Sequence, residues 1–148
     1  SCLMTNEEGL DLFVTAQEQI YPRALGEIRR GKKCSHWMWF IFPQLAGLGR
    51  SATSKLYGLA GADEARAYLA HPLLGARYAE CVEAIQDLPA SDPVAVFGEV
   101  DAVKLRSSLT LFEAVSRRPL LSAALIRWFG GERDERTLGL LSRDDSMP

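Results

Sequence analysis

Apolar residues recur every three or four positions along almost the whole chain, and no stretch sustains the strict alternation of a half-buried strand. That spacing predicts an all-α, mainly helical fold. Leu10, Phe13, Val14, Gln17, Ile20, Tyr21, Ala24 and Ile28 hold one face over residues 9–30; Pro22 removes a backbone donor and should kink or split this helix, and Gly31 stops it. A short helix is expected over Ala62–Ala70, after which Pro72 restarts the chain for the stripe Leu74, Tyr78, Cys81, Val82, Ile85 and Leu88. Asp92 before Pro93 is a cap with proline at the first helical position, so one short turn should follow, closed by Gly98. A longer helix over 101–115 turns Ala102, Leu105, Leu109 and Phe112 inward, and Pro119 opens another that carries Leu121, Ala124, Leu125 and Trp128 to the stop at Gly130 and Gly131. The last helix, 134–141, offers Leu138 and Leu141 to the core, and Leu45 to Ser51 reads as a glycine-rich loop. Together these elements describe a single compact globular domain of about seven helices over residues 4–142, with 143–148 as a flexible tail.

Composition narrows the function classes. At 148 residues and 47% hydrophobic, the chain can bury an ordinary core without disulfides or structural metal. Cys2, Cys34 and Cys81 are odd in number and widely spaced, which points to a reducing, cytoplasmic setting, and Cys81 sits in a core stripe as a small buried hydrophobe. His36 and His71 lack the cysteine or carboxylate neighbours of a ligand set, so no metal and no cofactor is expected. Nineteen acidic against seventeen basic residues argue against duplex DNA as a partner. No apolar run reaches the ~18 residues that would span a membrane, and the start SCLMTNEEGL lacks a basic region followed by an apolar one. Phosphate-binding glycine loops, H-E-x-x-H and G-x-S-x-G are also absent.

One segment is too dense in aromatics to be filler: GKKCSHWMWFIFPQLAGLGRS, from Gly31 to Ser51. Between Arg23 and Lys55 seven basic residues face one acidic one, Glu27, giving a local charge of +6 in a chain of −2. Such a stretch can focus field at one face and draw an anionic small molecule to it. Ser35 is a candidate N-cap for an element starting at His36, which would place the imidazole near free amide donors and keep it neutral. Trp37 and Trp39 cannot share one helical face, so one indole should point away from the core. Gln44 carries an amide suited to a base edge or a sugar hydroxyl. Lys104, Ser107 and Ser108 share a polar stripe that, if turned toward the aromatic segment, makes a pocket with basic, hydroxyl and aromatic walls. The alternative is that Phe40, Ile41 and the tryptophans are all core and the serines bond to the preceding turn.

The strings GKKCSHWMWFIFPQLAGLGRS, KLYGL, EARAYLAHPLLGARY, FGEVDAVKLRSSLTLF and FGGERDERTLGLL resemble an uncharacterised bacterial and fungal family of unknown function, often labelled calpastatin. The resemblance implies a mainly helical domain. A calpain inhibitor would need disordered repeats that this pattern lacks. A more distant similarity is to the NADAR family, whose members are linked to NAD and ADP-ribose; it rests on Cys34 to Trp37 and Gln44, with Ser35 where that family has an acidic residue. The resemblance implies a nucleotide-derived ligand but leaves no carboxylate there to act as general base.

These readings converge on a binding site for a phosphorylated or ribosylated ligand made by Lys33, His36, Trp37, Trp39, Gln44, Arg50, Lys104, Ser107 and Ser108. Hydrolysis is a candidate reaction there, with His36 as the candidate catalytic group. A protein-interaction or regulatory module docking through the basic face is the main alternative, and single-stranded RNA bound by aromatics among cations a weaker third.

Overall fold

The computed structural model describes residues 6–144 and Met147, and among them the periodic pattern becomes nine helices. These are α1 (Asn6–Arg29), α2 (Met38–Ile41), α3 (Ala52–Tyr57), α4 (Ala62–Ala70), α5 (Pro72–Gln86), α6 (Pro93–Phe97), α7 (Glu99–Ser116), α8 (Pro119–Phe129) and α9 (Glu135–Ser142). The fold is all-α. No strand occurs among the described residues, only an isolated parallel bridge between Leu45 and Leu59. The expected domain start at residue 4, and Asp145, Ser146 and Pro148 of the expected tail, lie outside the described residues.

Two long helices carry the centre. α5 packs against α1, α4 and α8, and α7 packs against α4, α6, α8 and α9. Their shared core is aromatic: the Tyr78 and Phe112 ring centroids are 4.5 Å apart, Tyr68 lies 5.5 Å from Phe112, and Phe42 lies 5.8 Å from Tyr78. Each buried phenol finds a partner, Tyr78 in the Ser108 hydroxyl at 3.0 Å and Tyr68 in the amide of Gln17 at 3.0 Å. Burial pushes both phenols above their ordinary pKa, so they stay neutral donors or acceptors.

Helix ends follow local chemistry. Asp92 accepts the amides of Val94 and Ala95, Asp134 accepts Thr137 N and Thr137 Oγ1, and His71 Nδ1 accepts Leu73 N and Leu74 N. Capping uses His71 as a helix terminator. Pro22 does not split the helix: α1 runs through it, with Pro22 and Glu18, whose carbonyl loses its helical donor, both exposed so that water can serve that carbonyl. α3 was not expected after the glycine-rich loop. Leu138 is 41% exposed rather than core, while Leu141 is buried. Asp144 reaches back to accept Ala62 N at 2.6 Å and so covers the start of α4.

No helix among the described residues is long and apolar enough to cross a membrane. Cys81 is fully buried, and burial pushes its thiol up to about 12. Iodoacetamide applied to the native protein at pH 8, followed by peptide mapping, should modify exposed Cys34 and leave Cys81 untouched until denaturant is added. Native labelling of Cys81 would mean that α5 opens locally.

Candidate functional site

Past α1, Gly31 takes φ +72°, a conformation suited to glycine, and reverses the chain so that residues 32–37 cross the end of the helix. There the carboxylate of Glu27 accepts four donors: Cys34 N at 2.7 Å, Ser35 N at 2.9 Å, Ser35 Oγ at 2.6 Å and Trp37 Nε1 at 2.9 Å. Glu27 is 2% exposed. Burial alone would raise its pKa, but the bonds from Ser35 Oγ, the two backbone amides and the Trp37 indole outweigh it and hold the carboxyl at about 2. The loop is therefore folded around one permanent negative charge.

This displaces the expected role of Ser35. Its hydroxyl serves Glu27, and α2 begins only at Met38, with Trp37 at the cap position and no side-chain cap. His36 consequently lies in a bend, exposed, and not at a helix start, so the dipole argument for a neutral imidazole has no basis. Its ring has no hydrogen-bond partner among the described residues.

α7 closes the other side. Asp101, in its first turn, takes Lys33 Nζ at 2.8 Å; the same ammonium donates to Ser35 O at 2.5 Å and lies 4.9 Å from the Trp37 ring centroid. With its side chain 7% exposed, Lys33 is occupied by these partners. Lys104, one turn on, is held more loosely. Its Nζ is 3.6 Å from Asp101 Oδ1 and 5.6 Å from the Trp39 ring centroid, with 28% of the side chain exposed.

Between these groups lies a cleft of about 250 Å³ lined by Lys33, His36, Trp37, Met38, Trp39, Phe40, Ser51, Thr53, Asp101 and Lys104. α3 supplies the remaining wall. Ser51 Oγ caps it by accepting Ser54 N at 3.1 Å, and the approach depends on Gly49, where a Cβ would stand 2.8 Å from Ser54 Cβ and 3.2 Å from Trp39 Cζ2.

Lys33, His36, Trp37, Trp39 and Lys104 are thus brought together as expected residues of one cleft. Both indoles are buried, Trp37 fully and Trp39 at 8% exposure; Trp37 is the inner one and only backs the wall, its centroid 6.2 Å from Phe42 and 6.5 Å from Phe97, whereas Trp39 borders the cleft. Four expected residues are elsewhere. Gln44 is buried outside the lining, its backbone carbonyl accepting Leu59 N beside the bridge and its side-chain Nε2 without a partner among the described residues, and Arg50 is exposed outside the lining. Ser107 donates to Val103 O in the preceding turn, and Ser108 is spent on Tyr78 in the core. The hydroxyl wall exists, but Ser51 and Thr53 make it. The signals for the missed residues were the S-A-T-S start of α3 and the lone acid Glu27 in a basic cluster. Among the described residues no cluster of histidine, cysteine and acid side chains could hold a metal.

A family model described as "Protein of unknown function (DUF1810)" matches residues 7–141. Among solved structures, the chain is similar to the conserved hypothetical protein Rv1873 from Mycobacterium tuberculosis, with 41% identity, a TM-score of 0.89, and coverage of 91% of this chain and 97% of that one. No curated protein matches. The expected calpastatin label is corrected by these matches: neither carries it, and neither points to the NADAR family. The matched span takes in all the cleft residues from Lys33 to Lys104, and the chain belongs to the DUF1810 family of proteins of unknown function.

Proposed function

We propose that the cleft over Trp39 is a binding site for a small phosphate-bearing molecule, with Lys104 as the cation that meets the phosphate. The observation that carries this reading is the position of the Lys104 ammonium: at the cleft wall, 3.6 Å from its nearest carboxylate oxygen and so beyond hydrogen-bond length, with donors to spare. Lys33 cannot share that task, since Asp101, Ser35 O and the Trp37 ring already take its ammonium. The volume favours a phosphate on a body of about pentose size over a dinucleotide, because pockets that enclose drug-sized ligands run to roughly 300–1,000 Å³. Binding rather than turnover is the role the residues support. Among the described residues no side chain hydrogen-bonds His36 to orient it, as a general base needs.

Tryptophan fluorescence and calorimetry against inorganic phosphate, ribose 5-phosphate and AMP provide the test. Ribose 5-phosphate should change the emission and raise the melting temperature. Lys104→Met should weaken its binding about tenfold, the equivalent of ~1.4 kcal/mol for one charge-assisted contact. An unchanged emission and melting temperature with every phosphate, at low salt, would remove this reading.

A further inference from the structure

We infer that the ligand of this cleft is a phosphorylated polyol, one carrying a free hydroxyl two or three carbons from its phosphate ester. This rests on the phosphate-binding reading above and adds what the rest of the ligand must be. The key group is Asp101. Its Oδ2 is taken by Lys33 at 2.8 Å, whereas among the described residues its Oδ1 has only Lys104, at 3.6 Å, too far for a hydrogen bond. A carboxylate oxygen thus remains open as an acceptor on the wall of the cleft, directly beside the cation that meets the phosphate.

A bare phosphate, or a phosphate on a plain alkyl chain, leaves that oxygen facing either another anion or a methylene. Both are unfavourable, the first by like-charge repulsion and the second by loss of water from a charged acceptor. A hydroxyl donor removes both penalties. Because Oδ1 and the Lys104 ammonium are 3.6 Å apart, one ligand reaches both only if its hydroxyl and phosphate are a few bonds apart, as they are in glycerol phosphates and pentose phosphates. Also on the lining, Thr53 has a hydroxyl with no partner among the described residues, and Ser51 Oγ accepts Ser54 N but keeps its own proton to donate. One loose cation, one open carboxylate oxygen and two hydroxyls is a donor and acceptor set for a polyol. It fits a lipid tail or a nucleobase poorly.

The test compares glycerol 3-phosphate with n-propyl phosphate, equal in charge and similar in size, by calorimetry on the full-length protein at one pH and ionic strength. Glycerol 3-phosphate should bind at least tenfold more tightly. Asp101→Asn, whose side-chain carbonyl can still accept from Lys33, should bring that ratio close to one, and Thr53→Val should reduce it severalfold. Circular dichroism and melting curves verify that the variants fold; should Asp101→Asn unfold, the wild-type ratio and the Thr53→Val ratio decide. Equal affinity of the wild type for the two phosphates would overturn the polyol inference and leave phosphate binding standing. A preference that survives Asp101→Asn would remove Asp101 as the group that reads the hydroxyl. If neither phosphate binds, the functional reading itself falls.

Discussion

Replacing Glu27 with alanine should destabilise the protein by about 3 kcal/mol or more, and the loss should be largest near neutral pH. The variant leaves the Trp37 indole N–H buried with no acceptor and strips the amides of Cys34 and Ser35 of theirs. Unsatisfied buried donors cost about 1–3 kcal/mol each. The more incisive variant is Glu27→Gln, which keeps the shape and removes the charge. The native carboxyl is held at about 2 against an ordinary value of 4.5, a difference worth about 3 kcal/mol. Because the folded pKa is the depressed one, the unfolded chain takes up a proton first as the solution is acidified. The contribution is therefore complete above pH 4.5 and is lost as pH falls toward 2. Urea unfolding of wild type and Glu27→Gln at pH 6 and pH 2.5 isolates this group from other carboxylates. The gap between the two proteins should be wide at pH 6 and shrink to about a quarter of that width at pH 2.5. A gap that stays constant would mean that Glu27 is not ionised in its nest.

Glu27 also shows where the sequence stops being readable. On α1, between Gly26 and Ile28 and beside Arg29 and Arg30, an acid looks like a partner for nearby arginines; only the reversal at Gly31 brings four donors onto it. Periodicity locates α5, α7 and α8 because each buries a stripe set by its own 3.6-residue repeat, and Asp92, Asp134 and Gly130 mark ends because capping is local. Ser107 and Ser108 mislead for the opposite reason. α7 is packed by α4, α6, α8 and α9, so positions left over by its leucines are still interior, and their hydroxyls turn to Val103 O and Tyr78. The cleft is half legible. The aromatic and basic density around His36 marks it, and the polar stripe does meet it through Lys104; yet Asp101 and Thr53, from segments far apart in the chain, join only through tertiary packing.

Gly75→Ala should be among the most damaging single substitutions in the chain, although it replaces a poor helix former with the best one. In isolation the exchange favours α5 by about 0.8–1 kcal/mol. In the fold, a Cβ at residue 75 would stand 2.0 Å from Leu69 O and 2.9 Å from Leu69 C, both backbone atoms of α4. The two helices are joined at His71, which ends α4 and caps α5, so neither has slack with which to move aside. Separating them pulls Tyr68 away from Phe112 and Tyr78, where the aromatic core is centred. Overpacking of this kind costs roughly 1–3 kcal/mol where side chains can yield, and backbone yields less, so a net loss of about 3 kcal/mol is expected. At about 2–4 °C per kcal/mol for a chain of this size, the melting temperature should fall by roughly 6–12 °C. Gly139→Ala is the matched control: it too is a helical glycine, in α9, but nothing lies within 4 Å of its added Cβ. That variant should gain about 0.5–1 kcal/mol from helix propensity. Opposite shifts from the same chemical change would trace the Gly75 effect to the α4–α5 contact; a Gly75→Ala protein as stable as wild type would mean that the two helices do not approach this closely.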